Sequence, residues 1–136
     1  MDVEETEKKA ETPNITRMII RALKGNKFER MELIKSPHKL VRQAVLLNQK
    51  ITEDEIQSVT ALKTIETDVL VKISEKMEWL KSYKTRYNLV ANPKTPVWTA
   101  IKLLNNLSKK DIRNISKNRD ISHPIRLEAT KMSLNT

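Results

Sequence analysis

The residues with the most chemistry to offer lie between Trp79 and Lys110. That span contains Lys81, Lys84, Arg86, Lys94, Lys102, Lys109 and Lys110 and no acid at all. Trp79, Tyr83, Tyr87 and Trp98, the Trp and Tyr residues of the whole chain, lie in it too. Ammonium and guanidinium groups neutralise phosphates, and aromatic rings stack on bases. Basic residues interleaved with aromatics therefore suit a polyanion such as nucleic acid. A structural reading stands beside this one. Trp79, Tyr83 and Tyr87 follow one another at i, i+4 and i+8, a spacing that core residues of a helix share. A surplus of lysines also marks any solvated face, and by itself speaks to solubility and non-specific attraction.

Signals for catalysis are weak. His38 and His123 both fall near expected helix starts and have no second ligand at metal spacing. Glu53, Asp54 and Glu55 suit the first turn of a helix, where acids complement the dipole. No glycine-rich phosphate loop and no nucleophile motif is present. There is no cysteine, hence no disulfide and no thiolate metal site. The expectation is a protein that is not an enzyme, with no cofactor, no metal and no small-molecule substrate.

The elements that position these residues are set by one phrase, Arg86 through Pro96. Asn92 precedes Pro93 and Thr95 precedes Pro96, so both Asn92 and Thr95 are pushed out of the helical region. Thr95 is expected to cap the next helix, and Pro96 at the first helical position loses no hydrogen bond. The phrase reads as stop, turn and restart. Partial copies recur. Arg42, Val45, Leu46, Asn48 and Lys50 match Arg86, Leu89, Val90, Asn92 and Lys94 at an offset of forty-four residues. Arg30, Leu33, Ile34, Ser36 and Pro37 form an earlier copy, and Ile115 and Asn118 a later one. Turn positions near 36, 48, 62, 76, 92, 106 and 118 are spaced by 12 to 16 residues, room for one short helix and its turn. Pairs of such helices fall among the repeats that stack into solenoids. Recurrence gives Arg42 and Arg86 a structural reading, bonding to carbonyls at the preceding helix end, and makes Asn48, Asn92 and Asn118 turn-formers first.

The phrase Arg86, Asn92, Pro93, Thr95, Pro96 resembles the turn of leucine-rich-repeat-variant proteins, and the helix spacing is similar to HEAT and armadillo repeats. The stretch from Ala22 to Met31, together with Asn92 to Pro96, also resembles an uncharacterised bacterial family of such proteins. The resemblance covers roughly residues 16 to 131 and implies a right-handed α-solenoid of short antiparallel helices and a binding role. Some leucine-rich-repeat-variant proteins carry a cysteine-ligated iron–sulfur module; this chain has no cysteine to hold one. Some HEAT-like proteins are DNA glycosylases with an Asp in a basic groove, but the basic span here contains no acid.

The remaining expectations follow from composition and local pattern. A chain of 136 residues with 38% hydrophobic residues and one glycine suits a single all-α domain. The acidic start holds five acids and two lysines in twelve residues and reads as a disordered tail, 1–13, ahead of one helical-repeat domain, 14–136. Expected inward residues include Ile15, Met18, Ile19, Ala22 and Leu23, then Phe28, Met31 and Ile34, then Leu40, Val41, Ala44 and Val45. Gly25 is expected to end the first helix. Thr52 and Ser108 open capping boxes, Thr67 caps a helix, and a continuous helix runs from Glu78 to Ala91. Seven to nine helices are expected. No secretory leader and no apolar run of about eighteen residues is seen, so the expected location is the cytoplasm. The expected function is a scaffold or adaptor binding another protein, with nucleic-acid binding through residues 79–110 as the alternative. Its candidate contact residues are Lys81, Lys84, Arg86, Lys94, Trp98, Lys102, Lys109 and Lys110. Ser36, Pro37, Asn48, Thr52, Asn92, Pro93, Thr95, Pro96 and Asn118 are the expected turn residues.

Overall fold

The computed structural model describes residues 3–135, with side chains from residue 14 onward. Among the described residues every regular element is an α-helix, and there are ten. They fall into two compact units, Met1–Thr52 and Glu53–Thr136.

The first unit holds α1 (Val3–Lys24), α2 (Lys27–Leu33) and α3 (Lys39–Leu46). The segment expected to be an acidic tail has its side chains outside the described residues, and its backbone from Val3 belongs to α1. Gly25 closes α1 through a short bond from its N–H to the Arg21 carbonyl. The glycine is required for space, not for a left-handed turn, since no glycine has positive φ. A Cβ at Gly25 would stand 2.3 Å from the Arg21 carbonyl oxygen and 2.9 Å from the Glu29 Cβ. Asn26 then starts α2 with a full capping box, its side chain accepting from the Glu29 N–H and the Glu29 carboxylate accepting from the Asn26 N–H. Ala22, Ile34, Val41 and Val45 are fully buried.

The second unit holds α4 (Glu53–Thr60), α5 (Thr67–Ser74), α6 (Met77–Leu80), α7 (Tyr83–Ala91), α8 (Val97–Leu104), α9 (Lys109–Lys117) and α10 (His123–Leu134). Its core runs through Ile56, Val59, Leu70, Ile73, Leu89, Leu104 and Ile115. α4 packs on α7, α7 on α8, and α10 on both α8 and α9. None of α4–α9 exceeds nine residues, short of what is stable alone, so each depends on its neighbours.

Several local expectations need correction. The stretch from Glu78 to Ala91 is two helices, because Ser82 interrupts it and accepts from the Thr85 N–H at 3.2 Å as the cap of α7. That break raises the helix count above nine, and it dissolves the single face of Trp79, Tyr83 and Tyr87: Trp79 is buried, Tyr87 half-buried and Tyr83 exposed. Leu23, Phe28 and Leu40, expected inward, are 37%, 73% and 66% exposed. A helix of seven or eight residues buries only a narrow stripe, and a period read over two turns does not fix which stripe. Thr67 caps nothing; α5 follows Glu66, and the Thr67 hydroxyl donates to the Lys94 carbonyl at 2.9 Å. Thr95 caps nothing either. α8 begins at Val97 after Pro96, whose ring has no polar atom to cap it with.

Candidate functional site

The polar residues of the repeat are engaged by backbone. Arg30 donates from Nη1 to the Gly25 carbonyl at 2.9 Å, and Arg42 does the same to the Ser36 carbonyl at 2.9 Å. Arg86 donates from Nη1 to the carbonyls of Leu80 (2.7 Å) and Lys81 (3.1 Å), and from Nε to that of Asn106 (3.3 Å). In each case a guanidinium in the body of a helix reaches back five or six residues to the turn that precedes it, satisfying carbonyls that helix ends leave open. The structural reading of Arg42 and Arg86 is what the geometry displays.

The asparagines work in the other direction. Asn48 donates from Nδ2 to the carbonyls of Ala22 (3.0 Å) and Gly25 (3.2 Å), clamping the end of α1, while its Oδ1 accepts from the Lys50 N–H at 2.9 Å. Asn92 donates to the carbonyls of Thr60 (2.7 Å) and Leu62 (3.0 Å), clamping the end of α4, and accepts from the Lys94 N–H at 2.9 Å. Asn118 keeps the turn bond alone, accepting from the Asp120 N–H at 3.0 Å. One side chain thus shapes its own turn and ties down an earlier helix, which is why Asn and not Ser or Asp suits the position.

The same register fixes the residue three places on. The N–H of Ile51, Ile65, Thr95 and Ile121 bonds to the carbonyl of Asn48, Leu62, Asn92 and Asn118 respectively, at 3.1–3.3 Å. Three of the four are isoleucine. The fourth, Thr95, is 5% exposed, and its hydroxyl has no hydrogen-bond partner in the protein.

The candidate contact residues divide between two ends of the α7–α8 pair. Arg86 in the first turns of α7 reaches Asn106, just beyond α8, so the two helices run antiparallel. Lys81, Arg86 and Asn106 border one recess of about 340 Å³ together with Met77 and Leu80. Lys84 in the first turn of α7, Lys102 in the last turn of α8, and Lys109 and Lys110 in the first turn of α9 belong to that end. Lys94 and Trp98 lie at the other end, across the length of α7, which is roughly 13 Å at 1.5 Å per residue. All six lysines are exposed, and none has a carboxylate partner among the described residues.

The aromatics are less available than the sequence suggests. Trp79 is buried, with the Lys76 ammonium 4.3 Å from its ring centroid. Tyr83 is overlaid by Arg86 at 5.1 Å and its hydroxyl donates to the Asp111 carboxylate while accepting from the Ser108 N–H at 3.0 Å. Asp111 therefore supplies in space the acid that the span lacks in sequence. Trp98, 72% exposed, is the most open of the four, ahead of Tyr83 at 38%.

Sequence reasoning missed the recess in the first unit. Leu23 and Leu47 line a depression of about 490 Å³ with Lys24, Asn48, Gln49 and Lys50. Leu47 is 71% exposed. The signal was available: the position matching Leu47 in the second copy of the phrase is Ala91, so a large apolar residue there is not demanded by the repeat. Among the described residues no group of His, Asp and Glu is placed to hold a metal, and no helix is long and apolar enough to cross a membrane. Neither a family model, nor a curated protein, nor a solved structure matches this chain.

Proposed function

We propose that this chain is a non-enzymatic binding module, a helical-repeat scaffold or adaptor whose partner is another protein. The observation that carries the reading is the Leu23–Leu47 recess. Leu47, 71% exposed, and Leu23, 37% exposed, line one surface recess; fully burying an exposed Leu contributes roughly 1.5–3 kcal/mol, of which Leu47 has most still to gain and Leu23 about a third, and Lys24 and Lys50 line the recess with them. An apolar floor with a basic rim suits an acidic segment carrying one or two large apolar residues. The repeated Arg and Asn clamps support a solenoid-type stacking of helices within each unit, of the HEAT or armadillo kind. They also account for the prominent polar residues of the sequence without a catalytic role.

A photo-cross-linking residue at position 47, with a second at exposed Thr130 on α10 as control, tests this. The reading expects a protein adduct from position 47 and none from position 130. Nucleic-acid binding is the second reading, favoured by six exposed lysines without carboxylate partners. It is weakened by the engagement of Trp79 and Tyr83 with their own neighbours. Titration of single- and double-stranded oligonucleotides at two salt concentrations separates the two. If four phosphates are contacted, the slope of log affinity against log salt is about −3.6 for a duplex and about −2.8 for a single strand.

A further inference from the structure

Helix α3 carries apolar residues on its open side as well as its packed one. Val41, Ala44, Val45 and Leu46 are buried, while Leu40 and Leu47 are largely exposed. Leu40 and Leu47 stand two helical turns apart, so they share one stripe, with half-buried Gln43 between them. Asn48, just past α3, bonds to the Ala22 and Gly25 carbonyls at the end of α1. Leu23 thereby joins Leu47 in the recess at one end of the stripe. Ile20, one turn earlier on α1, is exposed as well.

The repeat does not ask for this stripe. At the offset that brings Arg42 onto Arg86 and Asn48 onto Asn92, Leu40 falls on Lys84 and Leu47 on Ala91. The second copy makes its Arg and Asn clamps with a lysine and an alanine at those places, so neither leucine serves the turn. Large apolar residues kept in water without structural return mark a docking surface.

Charge says what docks there. Residues 14–52 hold nine Lys and Arg against two Glu, and one of those two, Glu29, is held by Arg21. Lys39 stands exposed beside Leu40, and Lys24 and Lys50 line the recess at the far end. None of these three lysines has a carboxylate partner among the described residues. Both ends of the stripe are therefore basic, and the complementary occupant is acidic at both ends.

Spacing says what conformation the occupant has. Leu40 and Leu47 are roughly 10.5 Å apart along α3 at 1.5 Å per residue. In a partner helix lying alongside, the same distance is seven residues, which returns a side chain to the same face. In an extended segment, at about 3.3 Å per residue, it is close to three residues, and side chains three apart point to opposite faces. Among the described residues there is also no strand whose edge an extended segment could join. Helix-in-groove is the recognition mode that remains. We infer that the segment received at the Leu23–Leu47 recess is an acidic amphipathic helix, aligned along α3 and anchored by two large apolar residues seven apart, one in the recess and one on Leu40. The inference rests on the protein-partner reading and adds the partner's charge, conformation and spacing.

The test follows the leucine methyl signals of the full chain by NMR as four probes are added. The first is a stapled helical peptide of about eighteen residues, five turns, with two leucines seven apart and glutamates around them. The second has the same composition with the leucines three apart, and the third replaces the glutamates of the first by lysines. The fourth is a vesicle of phosphatidylserine and phosphatidylcholine in equal parts. Saturable shifts at Leu23, Leu40 and Leu47 are expected with the first peptide, and binding at least about tenfold weaker with the second and third. Leu40→Asp and Leu47→Gln are each expected to weaken the first peptide at least tenfold with an unchanged melting temperature, and Leu127→Asp on α10 to leave it unchanged. Equal binding of the second peptide overturns the helical spacing, and equal binding of the third overturns the charge. Undiminished binding by Leu40→Asp, or an equal loss with Leu127→Asp, overturns the alignment along α3. No saturable shift with the first peptide up to roughly 1 mM overturns the inference, and perturbation of Leu40 and Leu47 by the vesicles alone assigns the stripe to a lipid surface instead. Cross-linking from position 47 decides the adaptor reading separately. A protein adduct there, with no binding of the helical peptide, strikes this inference and leaves the adaptor standing; no adduct strikes the adaptor itself.

Discussion

Replacing Asn92 by alanine removes three hydrogen bonds in one step: two from Nδ2, to the carbonyls of Thr60 and Leu62, and one accepted by Oδ1 from the Lys94 N–H. The residue is 6% exposed, and Thr60 is fully buried. Water therefore cannot readily replace the lost partner of the Thr60 carbonyl. Each bond contributes a net 0.5–1.5 kcal/mol or so, and an orphaned buried group costs more. The expected loss is about 2–4 kcal/mol, above the usual range for a helix cap. Urea unfolding is the assay: the midpoint should fall with an unchanged slope. Asn118→Ala is the internal control. Asn118 makes the turn bond but no clamp, so about 0.5–1.5 kcal/mol is expected there. Asn92→Asp keeps the acceptor but turns a carboxylate toward two carbonyls, and should cost at least as much as alanine. If Asn92→Ala cost no more than Asn118→Ala, the clamp would carry no energy and the account of the repeat would be wrong.

Gly25→Ala should destabilise by about 1–3 kcal/mol, the range for overpacking, because the atom its Cβ meets at 2.3 Å is backbone oxygen; thermal unfolding measures this. The Arg21 guanidinium, donating to Glu29 at 2.9 Å, holds that carboxyl below its usual value of 4.5, with help from the Asn26 N–H. A depressed carboxylate contributes stability above its unfolded pKa and loses it as pH falls through the folded one. Glu29→Gln should therefore flatten the acid limb of the stability profile below about pH 4.5, and an unchanged limb would show that the Arg21 contact is inert.

The all-α class and most of the turns were legible because they rest on rules that act locally. A proline after Asn92, an asparagine at 48 and 118 and a serine before Lys109 each stop or start a helix within a few residues. The helix break at Ser82 was hidden because Trp79, Tyr83 and Tyr87 keep a helical spacing straight through it, with no proline or glycine to announce the turn. The inward faces of α2 and α3 were misread at Phe28 and Leu40, where two turns of helix are too few for a period to choose one stripe over its neighbour. The Arg and Asn roles were half legible. Recurrence suggested bonds to backbone, which both make, but Asn92 reaching Thr60, thirty-two residues away, depends on which helices pack, and no local pattern carries that. The unpartnered hydroxyl of Thr95 was hidden for a related reason. Its proline context marked Thr95 as a cap, and only the four turns placed in register show a hydroxyl where isoleucine belongs.

The central claim is that the partner is a protein and that it is recognised by exposed apolar side chains, not by the lysines. Quantitative affinity capture from the native host, with nuclease added, addresses it directly. Three forms are compared: wild type, Leu23→Asp/Leu47→Asp, and Lys81→Glu/Lys84→Glu/Lys102→Glu, each first shown to unfold at the wild-type midpoint. The account expects the same protein to be recovered with wild type and with the lysine reversals, and to be lost with the leucine pair. Recovery that vanishes with nuclease or with the lysine reversals, and survives the leucine substitutions, would contradict it.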